Sequence, residues 1–289
     1  MKRTKKRGNR KNKSKRKMRG GNPKNIIPRI VHQIWFGGPI LSWKQFLFDQ
    51  VREVCERNGY KYRLWVNEDR TKANFPITYA YQQTSIELGK KRGQNSMAQV
   101  ADLARLEILF NHGGIYLDSN FIIKDDFLIE LQKMNFCAGK TFIGANEDEC
   151  GLECENGRGE KYLSNSFFAS IPRHPVLMRL LDANEDGLLE NVDFTKSEFN
   201  KTTGPYYLRK GIKDPDEDKV GLFETEQIYP FPMSGSDRPA NPNICITNSA
   251  QPNTIQVGPT KYLYRNCSDL IPETALASYM VGLGGSWSL

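Results

Sequence analysis

Apolar residues first gather at Ile30–Phe36, a nearly continuous run closed by Gly37 and Gly38. Such a run predicts a buried strand feeding a loop. In the following SWKQFLFDQVREVCERNG, the residues Trp43, Phe46, Leu47, Val51, Val54 and Cys55 recur at helical spacing. Ser42 with Gln45 fits a capping box, and Gly59 stops the helix. Tyr60–Val66 then reads as a second strand. Strand, amphipathic helix and strand in this order predict a βαβ unit and a parallel sheet.

A second unit follows the same logic. Ser96–Asn111 contains strong helix formers and neither Gly nor Pro, and His112-Gly113-Gly114 ends it. Ile115–Asp118 is then a short strand whose last residue is a carboxylate. In open α/β sheets ligands bind beyond the carboxyl ends of strands, which is where Asp118 falls. After residue 146 the chain reads as richer in loops, with acidic segments at Glu147–Glu160 and Asp214–Asp218, a helical stretch at His174–Leu189 and Pro-rich turns between 230 and 260. The expectation is a disordered tail over residues 1–25 and one α/β domain over residues 26–289, built on a mostly parallel sheet.

Composition changes this picture at one end only. The 289-residue chain carries a formal charge of +8, but residues 1–20 hold 12 Lys/Arg and no acid. The remainder has 29 basic against 33 acidic residues, a net charge of −4. A nucleic-acid-binding fold spreads positive charge over a folded face, so that class is disfavoured for the body. The tail has no apolar residues beyond Met1 and Met18, so disorder is expected. It is a solubilising segment, a nuclear address, or an arm for nucleic acid or an anionic surface. No uncharged apolar run of 18 residues predicts a transmembrane segment. The expected location is the cytoplasm, a virion or other particle, or the nucleus.

Neither the six Cys nor the three His fall at metal-ligand spacing. Cys150 and Cys154 lie in an acidic Gly-containing segment and are expected as free thiols, or as a disulfide in an oxidising compartment. Asn200-Lys201-Thr202 and Asn266-Cys267-Ser268 fit the N-glycosylation pattern, which matters only with a secretion route.

The chemistry concentrates in QVADLARLEILFNHGGIYLDSN. Asp102 and Arg105 are three apart on a helix and share a face. Gly113 and Gly114 allow a sharp turn and a close backbone approach. Tyr116 and Asp118 project to the same side of a strand. Two carboxylates, an arginine and a phenol converging on one crevice suit a polyhydroxyl ligand that bears phosphates. On spacing alone the Asp/Arg pair also fits an ordinary helix salt bridge. Asp214, Asp216 and Asp218 in KDPDEDK repeat the D-x-D pattern, but among Pro and Lys they read as a solvated loop.

IPRIVHQIWFGG followed by ADLARLEILFNHGGIYLDSN resembles the DXD-containing, sugar-nucleotide-dependent glycosyltransferases (family 32-like), which include initiating α-1,6-mannosyltransferases, inositol-phosphoceramide mannosyltransferases and, more distantly, the glucosylating toxins. Ile27, Pro28, His32 and Trp35 match the first motif. Asp102, Arg105, Leu109, Gly113, Gly114, Tyr116 and Asp118 match the second. Asn165 with SFFASIPRHPVL, Thr203-Gly204-Pro205 and Ser286-Trp287 resemble the later family segments.

The resemblance implies a GT-A-like, Rossmann-like fold. It implies retaining transfer of a hexose from a nucleotide-diphosphate sugar to a glycan, protein or lipid acceptor. Asp118, Asp102 and Arg105 would be catalytic. Trp35, Tyr116, Gly113, Gly114, Asn165 and Trp287 would bind the donor, with Trp35 against the base and Trp287 closing over the diphosphate. A divalent cation, Mn2+ or Mg2+, would sit at Asp118 and Asn120. Two positions depart from the family. Its second motif Asp is Asn120 here, and no His precedes the terminal Ser286-Trp287 within YMVGLGGSW. The motif then binds metal only with donor present, works without metal, or belongs to a non-catalytic nucleotide- or glycan-binding protein anchored by its tail.

Overall fold

The computed structural model describes residues 25–40, 42–93, 96–148, 161–181, 189, 192–194, 202–229, 254–257, 260–263 and 275–279. The basic tail, Cys150, Cys154, Asn200, Asn266 and Ser286-Trp287 lie outside the described residues.

The chain begins with β1 (Ile30–Ile34), α1 (Ser42–Arg57) and β2 (Lys61–Trp65). β1 and β2 pair in parallel from Ile30 opposite Lys61 to Ile34 opposite Trp65, so the expected βαβ unit is present. Next come α2 (Tyr79–Arg92), α3 (Met97–His112), β3 (Gly114–Leu117), β4 (Phe121–Ile123) and α4 (Asp125–Phe136). β5 (Phe142–Asp148), β6 (Lys161–Ser170) and α5 (Pro175–Leu180) follow. Helices α6 (Pro205–Lys210) and α7 (Thr225–Ile228) flank β7 (Val220–Phe223). Strands β8 (Thr254–Val257) and β9 (Thr260–Leu263) form a separate hairpin, and β10 (Ala277–Tyr279) pairs with β4.

The main sheet has the order β2-β1-β3-β6-β5-β7. Three of its five pairings are parallel, and both pairings of β6 are antiparallel. The sheet is therefore mostly parallel, with one reversed strand in the middle. That strand lies in the region expected to be loop-rich. Its Ser164, Asn165 and Ser166 break the apolar alternation that marks a half-buried strand. The Ser164 and Ser166 hydroxyls are buried together with the Tyr229 hydroxyl, all within 2.8 Å of a neighbour.

Each face of the sheet carries its own core. Tyr116 and Phe168 point to the α3/α5 side, while Ile115, Leu117, Phe167 and Ala169 point to the α1/α4 side. This is the period-two alternation of β3 and β6. Helix α3 is buried from Gln99 to Phe110 because it packs against α2, α5 and the sheet. Its sequence is accordingly apolar around most of its circumference.

Of the expected 174–189 helix, the described part is α5, Pro175–Leu180, with the His174 Nδ1 accepting from Val176 N at 3.2 Å as its cap, and residues 182–188 lie outside the described residues. One expectation needs correction. Asp218 is not solvated. It is buried, accepts from Lys213 N, and pairs with Arg179 at 2.6 Å. The Pro-containing turn folds back onto α5, so the loop composition concealed an anchoring carboxylate.

Candidate active site

The site forms where β3 ends. Gly114 starts the strand at φ +98°, and a Cβ there would meet Ile30 O at 2.6 Å. Gly113, at φ +62°, would meet Pro172 and Pro28 below 3.0 Å. The glycine pair thus lets α3 turn into a strand that lies tightly beside β1. The His32 Nε2 donates to Gly113 O at 3.1 Å, and its Nδ1 accepts from Trp65 Nε1 at 3.2 Å. Burial holds the His32 pKa down to about 3, so the ring is neutral and its tautomer is fixed by these partners. Gly113, Gly114 and His32 therefore shape the start of β3. The structure does not bring Gly113 and Gly114 to the carboxylates at its far end.

Because Tyr116 faces α3, so does Asp118 two residues later. Arg105 lies between two acids: its Nη2 is 3.1 Å from Asp102 Oδ1 and 3.2 Å from Asp118 Oδ1. Its Nη1 donates to Asn165 O at 2.6 Å, and its guanidinium sits 4.5 Å from the Tyr116 ring centroid. Tyr116 Oη donates to Asp118 Oδ1 at 2.5 Å. Asp102 also accepts from Asn165 Nδ2 on Oδ1 and from Thr203 Oγ1 on Oδ2, both at 2.9 Å. The Asp102–Arg105 pair expected on α3 is thus one edge of a larger network. Side chains from residues 102, 105, 116, 118, 165 and 203 form it.

The electrostatics follow from enclosure. The Asp102 and Asp118 side chains are 10% and 12% exposed. Burial raises the Asp102 pKa to about 6, against the opposing pull of Arg105, Thr203 and Asn165. Burial likewise pushes the Tyr116 phenol well above its usual value, so it donates as a neutral hydroxyl. Asp118 Oδ2 has no hydrogen-bond partner among the described residues, and the carboxylate keeps a small opening to solvent. A carboxylate oxygen in that position has lone pairs available to accept hydrogen bonds.

Trp35 follows β1, half-buried, with its Nε1 donating to Gly38 O at 2.9 Å. Gln33 ties β1 to the motif by donating from Nε2 to Asp118 O at 2.9 Å. Residues 118–120 form a turn closed by Phe121 N to Asp118 O, and Asn120 is buried there. Register places Tyr279 of β10 opposite Phe121, one residue beyond Asn120. Trp287 lies outside the described residues.

Sequence reasoning did not select Lys44. It lies in the first turn of α1, is fully buried, and donates from Nζ to Ser119 Oγ at 3.0 Å. Burial lowers its pKa to about 7, and the nearby Asp118 charge opposes that fall. Thr203 was noted within a family segment but not as a site residue. The readable signal for Lys44 was position: it starts the 44, 47, 48, 51 stripe whose other members are apolar.

A divalent cation was expected at Asp118 and Asn120. Among the described residues no group of three or more His, Cys, Asp or Glu is placed to hold one. Asp118 Oδ1 is already shared by Tyr116 and Arg105, Asn120 brings no charge, and an ammonium touches Ser119 between them. Hard cations favour sites rich in anionic oxygen. This donor set does not fit a resident divalent cation.

A family profile described as the glycosyltransferase sugar-binding region containing the DXD motif matches residues 46–142. The inositol phosphoceramide mannosyltransferase 1 of Schizosaccharomyces pombe is 25% identical over 163 residues, which cover 54% of this chain and 42% of that protein. The chain thus spans less than half the length of that relative. An uncharacterized glycosyltransferase of Acanthamoeba polyphaga mimivirus is 35% identical over 220 residues, covering 71% of this chain and 74% of the relative. Among solved structures, the PaToxG glycosyltransferase aligns with a TM-score of 0.44 at 16% identity, over 66% of this chain and 70% of that one. A glycosyltransferase involved in glycosylation of the major capsid of PBCV-1 aligns with a TM-score of 0.38 at 10% identity, over 88% and 94%. The α/β architecture, with its parallel β2-β1-β3 half leading to the 118–120 turn, is the GT-A-like fold expected from the sequence. The length and identity of the match to the mimivirus protein establish that this chain belongs to the DXD-motif glycosyltransferases.

Proposed function

We propose that the protein is a retaining hexosyltransferase. It moves a hexose from a nucleotide-diphosphate sugar to a hydroxyl on a glycan, protein or lipid acceptor. The observation that carries this reading is the convergence of Asp102, Arg105, Tyr116 and Asp118 at the carboxyl end of β3. The base of the donor lies against Trp35, the ribose and diphosphate lie toward Asp118 and the 118–120 turn, and the sugar lies toward Asp102 and Arg105. Asp118 Oδ2 accepts from a donor hydroxyl. Asn165 and Thr203 hold Asp102 so that its carboxylate keeps one orientation.

In the reaction the bond between the anomeric carbon and the diphosphate oxygen breaks. The acceptor oxygen bonds to that carbon from the same face, and its proton passes to the leaving diphosphate. No protein nucleophile is required. Arg105 and the polar network stabilise the charge that moves during this step in a site largely closed to water.

The relative named for inositol phosphoceramide supports a lipid among the acceptors and mannose among the hexoses. That one relative comes from a virus fits a cytoplasmic or particle-associated location. No helix among the described residues is long and apolar enough to cross a membrane. The charge of residues 1–20 suits contact with nucleic acid or an anionic surface, and if the chain binds either, deleting these residues is expected to abolish that binding.

Incubation with UDP- and GDP-sugars, with and without Mn2+, tests the assignment by release of free nucleotide. The isosteric Asp118→Asn is expected to lower transfer by about 100-fold or more. Full activity in that variant removes Asp118 from the reaction. Asn120 favours a second reading, in which the fold binds the donor without turning it over. A thermal shift with no nucleotide release from any donor selects that reading.

A further inference from the structure

Lys44 is a misplaced residue by the logic of its helix. The same face of α1 buries Leu47, Phe48, Val51, Val54 and Cys55. A fully buried lysine among them carries a desolvation cost that an apolar residue would avoid. What it contacts explains its presence. Its Nζ donates to Ser119 Oγ at 3.0 Å, at the centre of the 118–120 turn, and lies 5.6 Å from the Trp35 ring centroid. Burial lowers its pKa to about 7, the nearby Asp118 charge opposes that fall, and a bound diphosphate anion favours the protonated form further. One cation therefore joins the turn at the end of β3 to the aromatic ring after β1. A nucleotide with its base on Trp35 and its diphosphate at the turn spans these two features.

The charge count at the turn points the same way. A two-carboxylate motif repels a diphosphate until a metal bridges them. Here the second carboxylate is Asn120, so one negative charge is removed, and Lys44 adds a positive one beside the other. In a low-dielectric site a fixed ammonium acts on a diphosphate without being exposed, because little solvent screens it.

We infer that Lys44 supplies positive charge at the diphosphate position, so that this chain binds a nucleoside diphosphate without a divalent cation. The inference rests on the donor-site reading above and names what serves that site in place of the metal. It makes Lys44 a positioning and charge-supplying residue, acting through Ser119 and Trp35.

The test is titration calorimetry of the full chain with UDP and with GDP, in EDTA and in Mn2+. Wild-type dissociation constants are expected to agree within about threefold between the two conditions. Lys44→Met is expected to weaken binding by about 10- to 100-fold in EDTA and in Mn2+ alike, the range for loss of a charge-assisted contact. Lys44→Arg restores binding in EDTA. Asn120→Asp opens a gap between EDTA and Mn2+ with Lys44 intact. Thermal unfolding without nucleotide checks that each variant folds, and if Lys44→Met does not, the wild type and Asn120→Asp decide. Wild-type binding that requires Mn2+ overturns the inference and leaves the donor site standing. So does a folded Lys44→Met variant that binds UDP or GDP in EDTA as tightly as the wild type, or a loss that Lys44→Arg does not restore, which marks a purely structural role. Absence of UDP and GDP binding under either condition overturns the donor site and this inference together.

Discussion

At the scale of single residues the site depends on how a buried carboxylate is held. Asp102 receives Arg105 and Asn165 on one oxygen and Thr203 on the other. Thr203→Val keeps the volume but removes the only donor to Oδ2 among the described residues. It is expected to cost about 1–3 kcal/mol, read by denaturant unfolding, and to raise KM for the donor sugar more than it lowers kcat. Asp118 behaves differently from a solvated strand-end acid. It is paired with Arg105 and Tyr116, so Asp118→Ala leaves two buried groups short of a partner, and the isosteric Asn is the cleaner probe. The i, i+3 spacing of Asp102 and Arg105 and the alternation of Tyr116 and Asp118 were enough to place these four together. Lys44 was not legible as a site residue. The sequence shows a lysine at an apolar stripe position, but only folding reveals that the stripe ends beneath Ser119.

At the scale of elements, the first βαβ unit and α3-β3 were visible because their apolar periods are long and their stops are glycines. Those glycines are testable. Gly113→Ala places a Cβ 2.6 Å from Pro172 Cδ in a left-handed conformation. A loss of about 2–4 kcal/mol in unfolding free energy is expected, with the Asp118 network at the other end of β3 affected only through the strand's position. β6 was hidden for a physical reason. Its Ser164 and Ser166 are buried and its Asn165 half-buried because Tyr229 and Asp102 supply partners, and no periodicity rule sees partners that lie 63 to 65 residues away. Asp218 was misjudged similarly, since its acidic, Pro-containing surroundings gave no hint of Arg179. Asp218→Ala leaves a mostly enclosed guanidinium without its carboxylate, and a loss of about 3 kcal/mol is expected in the same unfolding assay.

For the whole molecule, two buried histidines set a response to acid. His32 and His174 are neutral, each accepting at Nδ1, and their pKa values are lowered to about 3 and about 4, chiefly by burial. An unfolded histidine titrates near 6.5, so between that value and the folded value the unfolded chain binds more protons. Their stabilising contribution is complete above about pH 6.5 and is lost as pH falls toward 4 for His174 and toward 3 for His32. At pH 5 each is expected to cost about 2 kcal/mol relative to pH 7. Urea unfolding at the two pH values measures this, and His174→Gln is expected to remove its share of the difference.

The grip on Asp102 comes from residues 63 and 101 positions further along the chain. During synthesis, α3 leaves the ribosome long before either of them. A nascent polypeptide that has reached residue 160 already holds the acid and its arginine, yet nothing orients the carboxylate until β6 threads into the centre of the sheet and Thr203 docks. A fragment that ends before residue 165 therefore lacks both side chains that hydrogen-bond Asp102, and the orientation of this acid depends on chain made well after it.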